Sequence, residues 1–328
     1  MPIPAGGWRR RSLLAAGLAS LATSACVPRG PATAAALARP IDIAPLPEGS
    51  RLELLGGLVL DDEALGFGGL SALHLAEDLQ VTAVSDLGHW MTARLDLRDG
   101  RPVGLSGLRT GPLGDGAGQP LRNGYSADSE SLARMPDGTW LVGFERWHRI
   151  RAYRRLDGPG RYVEAPPGLE YAGGNAGLES LAVLADGRWL AIAEVLPVPG
   201  RPGLTRAWLG GPGRWVPLAY RPTEGFDPAD ATPLPDGGAL VLERSFSLFG
   251  GFGGRLVRIP AEALRKAGPE TVLEGEELLR LAAPLPTDNY EGVSAVRVGG
   301  RTLVALVSDD NQNLLQKTYL LLFVLADD

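Results

Sequence analysis

Five stretches of this chain carry acidic residues at the edges of paired apolar runs. They are "GGLSALHLAEDLQVTAVSDLG" (68–88), "DSESLARMPDGTWLVGFER" (128–146), "GLESLAVLADGRWLAIAEV" (177–195), "DPADATPLPDGGALVLERS" (227–245) and "YEGVSAVRVGGRTLVALVSDD" (290–310). The acids opening the first run are Glu130, Glu179, Asp230 and Glu291; those closing the second are Asp86, Glu145, Glu194, Glu243 and Asp309, with Asp310 next. Carboxylates gathered in one place can do three things. They can hold a hard cation through oxygen atoms, as Ca²⁺ requires. They can act as general acid and base once crowding has raised their pKa values. They can also be tied up by arginines and backbone amides, and then they only hold the fold.

On the first two readings, Glu130, Glu179 and Glu291 are the catalytic candidates, and Glu179, Asp230, Glu291 and Asp309 the metal ligands. Ca²⁺ is the cation this donor set suits. His89, in "SDLGHW", is a further acid/base candidate because it follows Asp86. His74 sits inside an apolar run and reads as structural. Arg146 and Arg244, in "FER" and "LER", are expected to pair with acids or contact an anionic substrate, and Asn311, in "SDDN", to contact the substrate. Other chemistries have no foothold. The sequence holds no G-x-S-x-G nucleophile elbow, no His/Cys zinc spacing and no phosphate-binding glycine loop.

The elements that must position these acids are β-hairpins. Each repeated phrase is an apolar run, a tight turn and a second apolar run. Three turns are Asp-Gly (137–138, 186–187 and 236–237) and one is Gly-Gly (299–300), dipeptides that accept the positive φ of hairpin turns. The first four hairpins are each followed by two further strand-like runs, so a unit has four strands, and units recur about 50–60 residues apart. That is the period of a β-propeller blade. The fifth hairpin has only one following run, "TYLLLFVL", and "RLELLGGLVL" from Arg51 supplies the missing strand. The expectation is an all-β propeller of five four-stranded blades, closed by an N-terminal strand. Six blades is the alternative count, and a β-sandwich the rival architecture. In an antiparallel hairpin the start of the first strand and the end of the second lie together, so every one of these acids should face one mouth of the ring. The glycine-rich "FSLFGGFGGRL" (246–256) reads as a lid over that mouth or as a hairpin connection.

The net charge of -6 gives no reason to expect nucleic acid or an anionic membrane as partner. Residues 1–26 read as an export signal: Arg9 to Arg11 precede a short apolar stretch, and Arg10-Arg11 fits the twin-arginine type. Cys26, the single cysteine, closes "LATSAC" as in a lipobox; the other reading is cleavage after "ALA" (36–38). Residues 27–48 read as a linker and 49–328 as the propeller domain. The expected molecule is an exported, periplasmic monomer, touching a membrane only through a lipid anchor.

Taken in order, "GGLSAL…VSDLG", "DSESLA", "GLESLA", "DATPLPDG…VLERSF", "NYEGVSAV" and "SDDN…QKTYL" resemble the bacterial family called esterase-like activity of phytase, or phytase-like domain proteins. The resemblance covers about residues 50 to 325. It implies hydrolysis of a phosphate or carboxylic ester on a secreted propeller, with Ca²⁺ bridging acids and substrate, and a small-molecule ester as partner. The sequence departs from true β-propeller phytases in lacking dense Asp runs and in having only two lysines, Lys266 and Lys317. The alternatives are a non-catalytic binding or scaffold propeller and a lactonase-type propeller.

Overall fold

The computed structural model of the chain describes residues 37–326 other than 123. The segment read as an export signal, 1–26, with Arg10, Arg11 and Cys26, lies outside the described residues. Among the latter, no helix is long and apolar enough to cross a membrane. Alternation of apolar residues around Asp-Gly and Gly-Gly turns gives five antiparallel sheets. Their innermost strands are Leu70–Leu75, Ser129–Arg134, Ser180–Val183, Asp227–Pro233 and Asn289–Val298. Each of these lies beside the next, and the fifth beside the first, so the sheets form a closed ring of five blades.

Closure follows the sequence expectation. In the fifth blade, Asn289–Val298, Arg301–Asp309 and Tyr319–Leu325 are joined by the N-terminal strand Leu52–Leu60, with Leu52 opposite Leu325 and Val59 opposite Tyr319. Pairing the two ends of the chain in one sheet leaves no open edge between first and last blades. A short strand, Ala38–Ile41, adds outside it, within the stretch read as linker. One run divides differently from its sequence reading. "ETVLEGEELLRLA" splits, so that Val272–Leu273 joins the third blade in parallel with Val216–Tyr220, and Glu276–Leu281 completes the fourth. The third and fourth blades are thereby stitched together.

The apolar cores of the described residues lie between blades. Leu70, Met91 and Leu322 pack between blades five and one. Val84 and Phe144 pack between one and two, and Leu181 and Trp208 between two and three. Leu190 and Val241 fill the space between three and four, and Leu242 and Phe323 that between four and five. Each blade is thus fixed to both neighbours by apolar burial, which leaves the ring's axis for polar groups.

Candidate functional site

Backbone irregularities aim the acids. In blades one, two, four and five the innermost strand carries a bulge against its partner, at Ser71, Glu130, Ala229 and Glu291. A bulge inserts one unpaired residue and re-aims its side chain. In blade three Glu179 stands just ahead of Ser180–Val183 and corresponds to that residue. The carbonyl two residues upstream of this position accepts a backbone N–H from the second strand in the same way in three blades. Asp86, Glu145 and Glu194 each donate their amide to the carbonyl of Gly69, Asp128 and Gly177 respectively, at 2.9–3.0 Å. The register extends the second set to Arg244 in blade four and Asp309 in blade five.

The outcome is a buried carboxylate well. Glu130, Glu179 and Glu291 offer oxygens within 4.8 Å of one another, as do Asp128, Glu130 and Glu145, and Glu145, Glu179 and Glu194. These groups could hold a metal ion. Burial pushes Glu130 and Glu179 well above the usual carboxylate range, and neighbouring carboxylates push them further. Burial lifts Asp86 to about 7, with Asp128, Glu291 and Asp310 adding to the rise. It lifts Glu194 to about 7 against the pull of Arg244, and Asp309 to about 9 with help from Glu291. One oxygen of Asp86, Oδ1, is buried without a hydrogen-bond partner. Two glycines make room for this crowding. A Cβ on Gly69, whose φ of +73° already favours glycine, would land on the Asp86 carboxylate, and one on Gly177 would strike His148 and Glu145.

Two arginines enter the well from different sides. Arg244 donates to Glu194 at 2.8 Å and lies 3.3 Å from Glu291, and the surrounding glutamates hold its guanidinium charged. Arg146, expected to pair with acids or contact an anionic substrate, places its Nε 2.6 Å from the Asp128 carboxylate. Its own φ of +54° turns the chain back at that point.

The other sequence candidates differ in how they meet the well. Asp230 belongs to none of the three groups: its oxygens accept the amides of Ala231 and Val293, both at 2.8 Å, which ties blade four to blade five. Ser131, at the same register position in blade two, likewise donates its hydroxyl to the Leu178 carbonyl of the next blade at 3.0 Å. Glu243 reaches blade three, where it accepts the Tyr220 hydroxyl at 2.6 Å and the Thr223 amide. Asp309 is close enough to Glu291 to feel its charge, while one oxygen accepts the Asn311 amide at 2.7 Å. Asn311 therefore touches the site through its backbone, and its side chain is exposed. His89 stacks on Phe67 with ring centroids 5.0 Å apart, and burial lowers its pKa. His74 packs against Trp140 and is held neutral by burial, as its place in the strand implied. The 246–256 run is a hairpin connection between Ala239–Ser247 and Gly251–Ile259, with Leu248 and Phe249 exposed at its tip.

Sequence reading missed Asp128 as a member of the well, while Arg244, expected to pair with acids or contact an anionic substrate, pairs with Glu194 and Glu291. A countable signal marks Arg244. Seven residues before the Asp of each Asp-Gly turn stand Glu130, Glu179 and Ala229; seven after the Gly stand Glu145, Glu194 and Arg244. Asp230 and Glu243 are each one residue nearer the turn and point elsewhere, as a one-residue shift along a strand requires.

No curated protein matches the sequence. Among solved structures, the catalytic domain of a Coprinopsis cinerea GH62 α-L-arabinofuranosidase is 13% identical, with 89% of this chain and 98% of that chain covered and a TM-score of 0.49. The PQQ-bound aldose sugar dehydrogenase of Streptomyces coelicolor is 15% identical over 86% of this chain and 100% of its own, with a TM-score of 0.44. A putative gluconolactonase is 11% identical over 87% and 96%, with a TM-score of 0.43. Likeness at this level carries no argument. The family model described as phytase-like, esterase-like activity of phytase, matches residues 65–312, which include the well from Gly69 to Asp310. This chain belongs to the phytase-like family.

Proposed function

We propose that this chain is an exported ester hydrolase, with the carboxylate well as its catalytic centre and a hard divalent cation, Ca²⁺ first, held there by Glu130, Glu179 and Glu291. One observation carries the reading: three glutamates from three blades converge within 4.8 Å in a buried site. The donor set fits such an ion, since it is made only of carboxylate oxygens. The unpartnered Asp86 Oδ1 fits as well, because it leaves a further acceptor uncommitted. Such an ion, when bound, polarises an ester oxygen and acidifies a bound water. The chain's own residues supply the rest. Asp86 and Glu194, both at about 7, can take or give a proton near neutral pH. Arg244 anchors Glu194 and Glu291 so that they cannot drift from the well. Assays with p-nitrophenyl acetate and p-nitrophenyl phosphate, with Ca²⁺ and with chelator, test this. Turnover that needs the cation is expected on one of them; none on either overturns the reading.

Arg244 also favours a second reading. A guanidinium between Glu194 and Glu291 is what a purely structural ring would use. On that reading the protein is a binding propeller, and Glu179→Gln alters stability without touching any turnover. Export by the twin-arginine-type signal and anchoring at Cys26 belong to the hydrolase reading. Cell fractionation of the Cys26→Ala protein tests them: release from the membrane fraction is expected, and an unchanged distribution contradicts the anchor.

A further inference from the structure

Beside the well, between blades three and four, runs a cleft of about 660 Å³. That lies in the range of small-molecule sites, about 300–1,000 Å³. One wall is a hairpin arm. The strands Trp189–Val198 and Arg201–Gly210 continue past the body of the sheet after a register shift, with Pro197 opposite Thr205 and Val198 opposite Arg201. The buried Thr205 hydroxyl props the arm, accepting the Leu196 amide at 3.0 Å and donating to the Ala193 carbonyl at 2.9 Å. The facing wall is the 222–227 loop. Leu196, Pro197, Val198, Pro199, Leu204 and Phe226 give the cleft its apolar lining, and the prolines restrict its backbone. It is a preformed apolar surface.

Its charged groups say what it rejects. Glu194 and Asp227 stand at the inner end, where Arg244 pairs with Glu194 and lies opposite Asp227 in register. Glu224 also lines the cleft. The lining cation, Arg201, has Glu270 at 3.7 Å. A phosphate or free carboxylate entering here would meet three carboxylates and lose hydration without a matched partner. An alkyl or aryl group would lose only water.

We infer that this cleft seats the apolar group of an uncharged carboxylic ester whose carbonyl is presented to the well through the Glu194 end. The inference rests on the hydrolase reading and narrows its substrate class from phosphate or carboxylic esters to uncharged esters with an aliphatic or aryl arm. Val198, half-buried near the turn of the arm, is a specificity-determining position rather than a catalytic one.

Two readouts on the full exported chain test it. The first is KM across p-nitrophenyl acetate, butyrate, hexanoate and octanoate. The second is binding of the neutral fluorophore N-phenyl-1-naphthylamine, which needs no turnover. Wild type should bind the fluorophore, and KM should fall by about fourfold for each methylene seated. Val198→Asp and Val198→Trp, unfolding at the wild-type temperature, should each weaken fluorophore binding at least about tenfold, the loss of one seated apolar side chain. Both should flatten the chain-length dependence. Fluorophore binding that is lost in both variants, with no ester hydrolysed by wild type, keeps the apolar site and overturns the hydrolase reading. Ester turnover whose KM ignores both chain length and the variants overturns the cleft's role and leaves the hydrolase reading standing. Failure of wild type to bind the fluorophore also overturns the cleft.

Discussion

Glu179 and Asp230 are both fully buried acids near the start of an innermost strand, and they act on different parts of the molecule. Asp230 spends both oxygens on backbone amides, one of them Val293 in the next blade. Glu179 faces other carboxylates: Glu130, Glu194 and Glu145 all raise its pKa after burial has done so. Glu145 and Glu179 bring carboxylate oxygens within 4.8 Å of each other. Asp128 and Glu130 stand equally close. Burial alone therefore does not separate a site from a structural clip. The difference lies in what surrounds the charge: donors for Asp230, like charges for Glu179.

Substitutions can break this contrast. Glu179→Gln should lower cation-dependent turnover by about 10²–10⁴-fold while leaving the cation-free protein as stable as wild type or more so, because it removes a repelling charge. A loss of stability with turnover intact would move Glu179 to the structural side. Asp230→Ala should do the reverse. It leaves the amides of Ala231 and Val293 without acceptors, at a cost of about 2–4 kcal/mol in unfolding free energy, with activity per folded molecule unchanged. Denaturant titration and active-site counting together decide it.

The pH dependence sharpens the same comparison. Asp86 and Glu194 at about 7, and Asp309 at about 9, hold protons in the folded state that the unfolded chain releases near pH 4. The folded state binds more protons across that window, so the cation-free protein should lose stability as pH rises from 4 toward 9. The slope is at most about 1.4 kcal/mol per pH unit for each group still protonated. Saturating Ca²⁺ should flatten the decline. A melting temperature constant over this range without Ca²⁺ would show that the well carries no strain of like charges. The smallest effect is expected at the rim. Arg146, well exposed beside Asp128, contributes under about 1 kcal/mol, so Arg146→Gln should leave the melting temperature nearly unchanged. A large drop would make that pair part of the framework.

Much of this contrast is present in the sequence, at different levels. The ring was legible because its causes are local: Asp-Gly turns, apolar alternation and a strand lacking its sheet at each end of the chain. The mouth was legible because hairpin geometry puts Glu130 beside Glu145 and Glu179 beside Glu194. The sorting of individual acids was less so. Asp230 and Glu243 match the repeated phrase in composition, but their register is one residue off, and a bulge decides which side chain turns inward. Arg146 follows Glu145 directly, yet its left-handed backbone carries it to Asp128. Such departures depend on single backbone torsions, which composition and periodicity do not encode. The cleft between blades three and four was equally hidden, because it arises where one hairpin outgrows its sheet.

Calcium titration calorimetry on wild type, Glu179→Gln and Asp230→Asn tests the central claim most directly. The account predicts one Ca²⁺ per wild-type chain, an unchanged stoichiometry in Asp230→Asn, and no binding in Glu179→Gln. Absence of binding to wild type, or binding that survives in Glu179→Gln, would contradict it and leave the ring of acids as a device that holds the blades together.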